Sequence, residues 1–261
     1  MKKSIQIMAI TFLLLLCASG ILAAAPADNP NFVQRHAWQG AINDKIPVSI
    51  WCEIRDGLIV GELVYTSTKE KKPIRLLGTV EADGELRMQE MLPDGLISGL
   101  IGGKITQGSF EGAWSAPGKL VTKGNNHEYI EGKSYHLRLS NATLPHTPFH
   151  WGHDPNALAG KYAYSYGKDM NYGVIALVRA EGQKMNCSIE SSSSAPSHNM
   201  AQTSFTTGAA GDRILYEEDA SCAFEILLFN GFLVTRYLEG KTCDGWFGRG
   251  ATVEGIFVKQ E

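Results

Sequence analysis

The sequence predicts an all-β protein: two consecutive antiparallel meander domains, each a barrel or a sandwich, following a signal peptide. Three observations carry that expectation. Short apolar runs recur at roughly eight-to-twelve-residue spacing with no sustained helical period, the pattern of strands joined by tight turns. Asp-Gly and Asn-Gly pairs stand between these runs, at Asp56-Gly57, Asp83-Gly84, Asp94-Gly95 and Asn230-Gly231. Such pairs accept the positive φ that hairpin turns require. One proline-rich break, residues 145–155 (PHTPFHWGHDP), divides the strand-forming sequence in two.

In chain order, residues 1–27 are expected to be a cleaved export signal. Lys2 and Lys3 form the charged start, Ile7 to Leu16 the apolar run and Ala25-Pro26-Ala27 the cleavage site. The apolar run is too short for a transmembrane helix. Cys17 raises the alternative of a lipidated N-terminus, but Leu16 stands where a small residue normally precedes such a cysteine. Plain export to a bacterial periplasm or beyond is the expectation, with a mature chain from Asp28. Cleavage removes two lysines, so the net charge falls from −3 to −5, and Cys52, Cys187, Cys222 and Cys243 remain. A weakly acidic chain has no electrostatic footprint for nucleic acid or anionic membranes.

The first domain, residues 28–144, begins with the alternating run Ile46 to Ile54, which puts Val48, Ile50, Cys52 and Ile54 on one face. Asp56-Gly57 turns it into Leu58 to Thr66. Further strands are expected at Ile74 to Val80, Leu86 to Met91, Gly99 to Ile105, Ser109 to Trp114 and Ser134 to Leu139. Gly61, Gly78 and Gly112 inside strands suit the bends of a small barrel.

In the second domain, residues 156–261, strands are expected at Lys161 to Tyr166, Gly173 to Val178, Lys184 to Ser191 and Ile214 to Glu217, with a serine-rich loop from Ser191 to Ser197. The organising unit is a hairpin about Asn230-Gly231. A two-residue type I′ turn there sets Phe229 opposite Phe232, Leu227 opposite Val234 and Glu225 opposite Arg236. The facing opposite charges check the register, because a one-residue slip would lose them. Both faces are apolar, so the hairpin is expected to be central. Its register brings Cys222 beside Glu239, and a return through Gly240 and Lys241 brings Cys243 within bonding reach. An oxidising compartment favours that bridge over two unpaired thiols. Cys52 and Cys187 are expected to be free, as small buried hydrophobes. Gly160-Lys161-Tyr162 and Gly255-Ile256-Phe257 suggest that the first and last strands pair to close the domain.

The second half resembles a β domain of uncharacterised secreted proteins from Gram-negative bacteria, some carried beside lysozyme-inhibitor-like modules. The resemblance rests on Gly160 and Tyr162, the His198-Asn199-Met200-Ala201 segment, the Cys-x-Phe strand at Cys222, a second cysteine and a closing Gly-x-aromatic-x-Lys. It departs at Cys243-Asp244-Gly245-Trp246-Phe247-Gly248, where a tighter Cys-Gly arrangement is usual. It covers about 100 residues of the 261 and implies no catalytic residues.

Chemistry-bearing candidates are few. His146, His150 and His153 of the linker are ligand types for Zn²⁺ or Cu²⁺. Prolines hold that segment extended, however, so His146 and His150 would stand roughly 13 Å apart. Packing of Phe149 and Trp151 is expected there instead, with no metal and no cofactor. Glu90 shares a strand face with Leu86, Met88 and Leu92, which would desolvate it and raise its pKa. No Gly-x-Ser-x-Gly elbow or phosphate loop is present. The leading expectation is an exported, non-enzymatic binding protein of the cell envelope, one form of which is a hydrolase inhibitor. Its partner would be an envelope protein or a small apolar ligand. A lipocalin-like carrier with a ligand inside its barrel is the alternative, and an enzyme without a recognisable motif the third.

Overall fold

The computed structural model describes residues 33–123, 126–143, 147–195, 197–208 and 211–260; the expected export signal, Cys17 and His146 lie outside them. Before the linker run β1 (Gln34–Ile42), β2 (Ile46–Arg55), β3 (Leu58–Tyr65), β4 (Ile74–Val80), β5 (Leu86–Met91), β6 (Ile97–Thr106), β7 (Ser109–Ser115), β8 (Lys119–Lys123), β9 (Asn126–Ile130) and β10 (Ser134–Asn141). After it come β11 (Gly160–Ser165), β12 (Tyr172–Arg179), β13 (Lys184–Ser192), β14 (Met200–Gly208), β15 (Arg213–Glu217), β16 (Ala223–Phe229), β17 (Phe232–Tyr237) and β18 (Gly255–Lys259). A short 3-10 turn at Glu181–Gln183 precedes β13. Among the described residues no helix is long and apolar enough to cross a membrane.

The first sheet closes as an antiparallel barrel in the order β1-β10-β7-β6-β5-β4-β3-β2, with β8 and β9 as a separate hairpin. Its interior is filled as the period-two pattern requires. Val48, Ile50, Cys52 and Ile54 of β2 join Trp38, Met88 and Phe110 in one core. Eight strands enclose a space that side chains alone can fill. Two of the in-strand glycines are demanded by close strand approach. A Cβ on Gly78 would stand 2.0 Å from the Arg87 carbonyl oxygen, and one on Gly112 2.0 Å from that of Gly102.

The second sheet runs β14-β13-β12-β11-β18-β17-β16-β15 and is nearly closed. Its first and last strands pair as expected, with Tyr162 opposite Lys259. The seam lies between β14 and β15, where side chains bridge instead of backbone. Phe205 packs on Tyr216 with ring centres 4.6 Å apart, and Thr203 Oγ1 donates to the Tyr216 hydroxyl at 3.3 Å. Tyr162, Phe224 and Phe257 fill the interior.

The hairpin register is the expected one: Phe229 faces Phe232, Leu227 faces Val234 and Glu225 faces Arg236. Arg236 Nε donates to Glu225 at 2.7 Å. The turn departs from type I′, since only Gly231 of the pair takes positive φ, at 78°. The Asn230 N–H donates to the Trp151 carbonyl at 3.3 Å, which ties the linker to this turn. The Asp56-Gly57 turn has both residues positive, at 51° and 75°, as type I′ requires.

Cys222 and Cys243 form the expected disulfide, 21 residues apart in sequence. Cys52 and Cys187 are free and buried, and burial pushes both thiols up to about 12. A thiol reagent at neutral pH is therefore expected to label neither residue in the native chain and both in denaturant. Prompt native labelling of either would contradict this packing.

The linker packs between the sheets. The Trp151 indole N–H donates to Glu53 Oε2 at 2.8 Å, and its ring meets Phe229 edge-on at 6.0 Å. Glu53, only 1 % exposed, also accepts from Arg35 Nε at 2.9 Å. Phe149 packs against the same apolar cluster. That cluster contains Leu58, Val60, Leu77 and Ile97 from outer positions of the first barrel together with residues of the second. Alternation along β4 shows the division of labour: Leu76 belongs to the first barrel's interior and Leu77 to the shared cluster. Residues Val33–Glu261 accordingly form one compact unit.

A candidate binding groove between the barrels

Polar bonds knit the two barrels together around this shared cluster. The Ser165 N–H donates to the Gly95 carbonyl at 3.0 Å, and Gln89 Nε2 donates to the Tyr166 hydroxyl at 2.9 Å. On one side the barrels diverge and leave a groove of about 1050 Å³. The β3–β4 loop and the β5–β6 turn form one wall, and the β16–β17 turn and the end of β18 form the other. The volume is at the upper end of the range for small-molecule sites, and concave sites between packed units are where such sites concentrate.

The groove is amphipathic. Ile74, Met91, Leu92, Pro93 and Val258 give it an apolar surface. Lys69, Lys72, Arg75 and Lys259 place four cations on it, against Glu62 and Glu70. The β3–β4 loop carries the lysines because it leaves the barrel after Tyr65 and returns only at Ile74. Lys69 and Lys72 make no hydrogen bond or ion pair with any described residue. Arg75 stands opposite Glu62 across β3 and β4, and Nη1 donates to the Gly231 carbonyl at 3.3 Å. Burial lowers the Arg75 pKa, with the Glu62 charge opposing the fall. By surface area the Arg75 side chain is exposed, so its guanidinium is open to solvent at the groove. Lys259 Nζ donates to the Ala157 carbonyl and lies 5.9 Å above the Tyr162 ring.

Tyr65 links the groove to Glu90. It lines the groove, and its hydroxyl donates to Glu90 Oε1 at 2.9 Å. Glu90 is 1 % exposed, on the inward face of β5 as expected from its place beside Leu86 and Met88. Trp114 Nε1 donates to Oε1 at 2.6 Å and Ser98 Oγ to Oε2 at 3.3 Å. No cation pairs with it among the described residues. Burial therefore raises its pKa, opposed by the bonds from Trp114, Tyr65 and Ser98 in that order. Glu90 reaches the groove only through Tyr65, whose ring it helps fix as a wall.

A pH dependence follows. A carboxyl whose pKa is higher folded than unfolded binds its proton more tightly in the native chain. Stability then falls as pH rises from the ordinary value of 4.5 through the folded pKa, and levels off above it. Glu90→Gln can reproduce the bonding, with its carbonyl oxygen accepting from Tyr65 and Trp114 and its amide facing Ser98. The wild-type chain is expected to lose stability relative to Glu90→Gln as pH rises from 4.5 to neutrality, measured by urea unfolding. A difference independent of pH would show that Glu90 is ionised without cost. Glu90→Leu, by contrast, leaves the part-buried Tyr65 and Trp114 donors without their acceptor, at up to about 1–3 kcal/mol each.

Of the linker histidines, His146 lies outside the described residues. His150 is exposed and lines a smaller cavity of about 350 Å³ with Trp51, Phe149 and Phe232, while His153 is half-buried two residues past Trp151. Among the described residues no group of three or more His, Cys, Asp or Glu is placed to hold a metal ion. Glu90 on β5 and the described linker histidines, His150 and His153, therefore stand on separate elements. Sequence reasoning missed Arg75, Lys69, Lys72 and Lys259. The lysine-rich stretch Lys69-Glu70-Lys71-Lys72 was the available signal, but nothing local says that this loop meets the end of the last strand. Comparison of the chain with family models, with curated proteins and with solved structures finds no match.

Proposed function

We propose that this chain is an exported, non-enzymatic binding protein of the bacterial cell envelope that holds a small molecule in the groove between its barrels. The observation that carries this reading is the groove itself, about 1050 Å³, walled by both barrels and lined by apolar and cationic side chains. Both barrel interiors are occupied by packed side chains, so a ligand finds room between the barrels rather than inside one as in a lipocalin. The test is native mass spectrometry of protein purified from its host envelope. A bound species of small-molecule mass is expected, and Leu92→Glu, which puts a charge on the apolar surface, is expected to remove it. A bound species unaffected by Leu92→Glu would place the site elsewhere.

A second reading has its own observation. The β8–β9 hairpin stands apart from the barrel sheet and exposes Tyr129 and Ile130 at 55 % and 39 %. Exposed aromatic and aliphatic side chains of this kind suit a protein partner, such as the hydrolase of an inhibitor complex. Recovery of a hydrolase from the same envelope extract, lost with Tyr129→Ala and retained with Leu92→Glu, would favour it.

A further inference from the structure

Resting on the groove as the binding site, we infer that its ligand is a single-chain anionic amphiphile, an acyl chain ending in a carboxylate. The groove combines cationic side chains with an apolar bed. A small polar anion would need the cations but not Ile74, Leu92, Pro93 and Val258. A neutral apolar ligand would need those residues but would leave the cations idle. An amphiphile uses both.

The cations are grouped so as to receive one head. Lys69, Lys72 and Arg75 come from a single seven-residue stretch of the β3–β4 connection and the start of β4. Lys69 and Lys72 have no partner among the described residues, and the Arg75 bond to Gly231 engages only Nη1. Arg75 therefore keeps donors for a carboxylate, whose two oxygens match the guanidinium fork. Lysines on the exposed loop add steering and a diffuse attraction, and their methylene stems extend the apolar surface. Glu62 stands opposite Arg75 across β3 and β4 and lines the groove beside it. A second acidic group in the ligand would meet Glu62 or Glu70, so a single carboxylate is favoured over a dianion.

The chain of the ligand runs over apolar side chains from both barrels, so affinity should grow with its length. Full burial of a methylene is worth about 0.8 kcal/mol, or roughly fourfold in affinity. In an open groove part of the chain stays wet, and about tenfold for two methylenes is the upper expectation.

The experiment is calorimetric titration of the full chain below micellar concentration with dodecanoate, tetradecanoate, dodecanol and dodecyltrimethylammonium. One equivalent of dodecanoate is expected to bind, at least about tenfold more tightly than dodecanol, with tetradecanoate several-fold tighter still. The paired reversal Lys69→Glu with Lys72→Glu, on an exposed loop, should weaken dodecanoate about tenfold and dodecanol far less. Arg75→Gln should do the same more strongly. Equal binding of the alcohol, the cation and the carboxylate would overturn the inference. The groove would then still stand if Leu92→Glu abolished dodecanol binding, and would fall if Leu92→Glu changed nothing. Absence of one-to-one dodecanoate binding, or binding indifferent to the charge reversals, also overturns it.

Discussion

Replacing Trp151 by alanine is expected to destabilise the chain by about 3–5 kcal/mol, the range for truncating a large buried aromatic. Trp151 is 8 % exposed and serves both barrels at once. Its N–H holds Glu53 on β2, its ring meets Phe229 on β16, and its carbonyl accepts from Asn230 in the β16–β17 turn. Removing it opens a cavity at the shared cluster and strips one of two donors from a buried carboxylate. Trp151→Phe separates these effects. It keeps most of the packing but drops the bond to Glu53, so about 1–3 kcal/mol is expected. Urea unfolding of both variants provides the check. Loss of less than about 1 kcal/mol for the alanine variant would mean that the linker is only a tether. Because one groove wall is the turn that Trp151 helps hold, the same substitution should also weaken groove binding.

The second large effect concerns the disulfide. Cys222 and Cys243 close a loop with a sequence separation of 21, for which the chain-entropy model gives about 3 kcal/mol. Both cysteines are buried, at 1 % and 2 %, so the paired replacement Cys222→Ala with Cys243→Ala avoids burying hydroxyls. It is expected to lower the melting temperature by roughly 6–12 °C for a chain of this size. The loop it closes carries β16, β17 and their turn, so loosening should start at the second barrel. An unchanged melting temperature in the alanine pair would show that Ser221, whose carbonyl accepts from the Thr242 and Cys243 N–H groups, already holds this corner.

The sequence was informative wherever one face of a strand alternates strongly or a turn has special chemistry. Strands β2 to β7 alternate clearly, Asp-Gly pairs mark the β2–β3, β4–β5 and β5–β6 turns, and the Asn-Gly pair of the β16–β17 hairpin also sets its register. Strand β1 escaped because its inward face carries His36, Trp38, Gly40 and Ile42, which breaks the apolar period. Strand β14 escaped for a related reason. Its residues are mainly Thr, Ser and Gln, and Ala201 is its one fully buried position. Its edge place beside the seam spares it the need for an apolar face. The seam itself could not be read, since closure by the Phe205 and Tyr216 rings leaves no mark in spacing. Glu90 was legible as a carboxylate on an apolar face. Its partners Tyr65, Ser98 and Trp114 were not, because they come from three other strands or turns of the barrel. The groove was the least legible feature, since it exists only where two sheets far apart in sequence meet.

That meeting place is the centre of the account, and hydrogen exchange tests it without knowing the ligand. Protein purified from its native host would be compared with the same protein after solvent extraction of bound small molecules. The account predicts that extraction raises exchange in residues 66–75, in the turn at 92–95 and at 258–260, where the groove walls lie, and leaves the β8–β9 hairpin unchanged. Protection confined to β8–β9, or no difference between the two preparations, would contradict it.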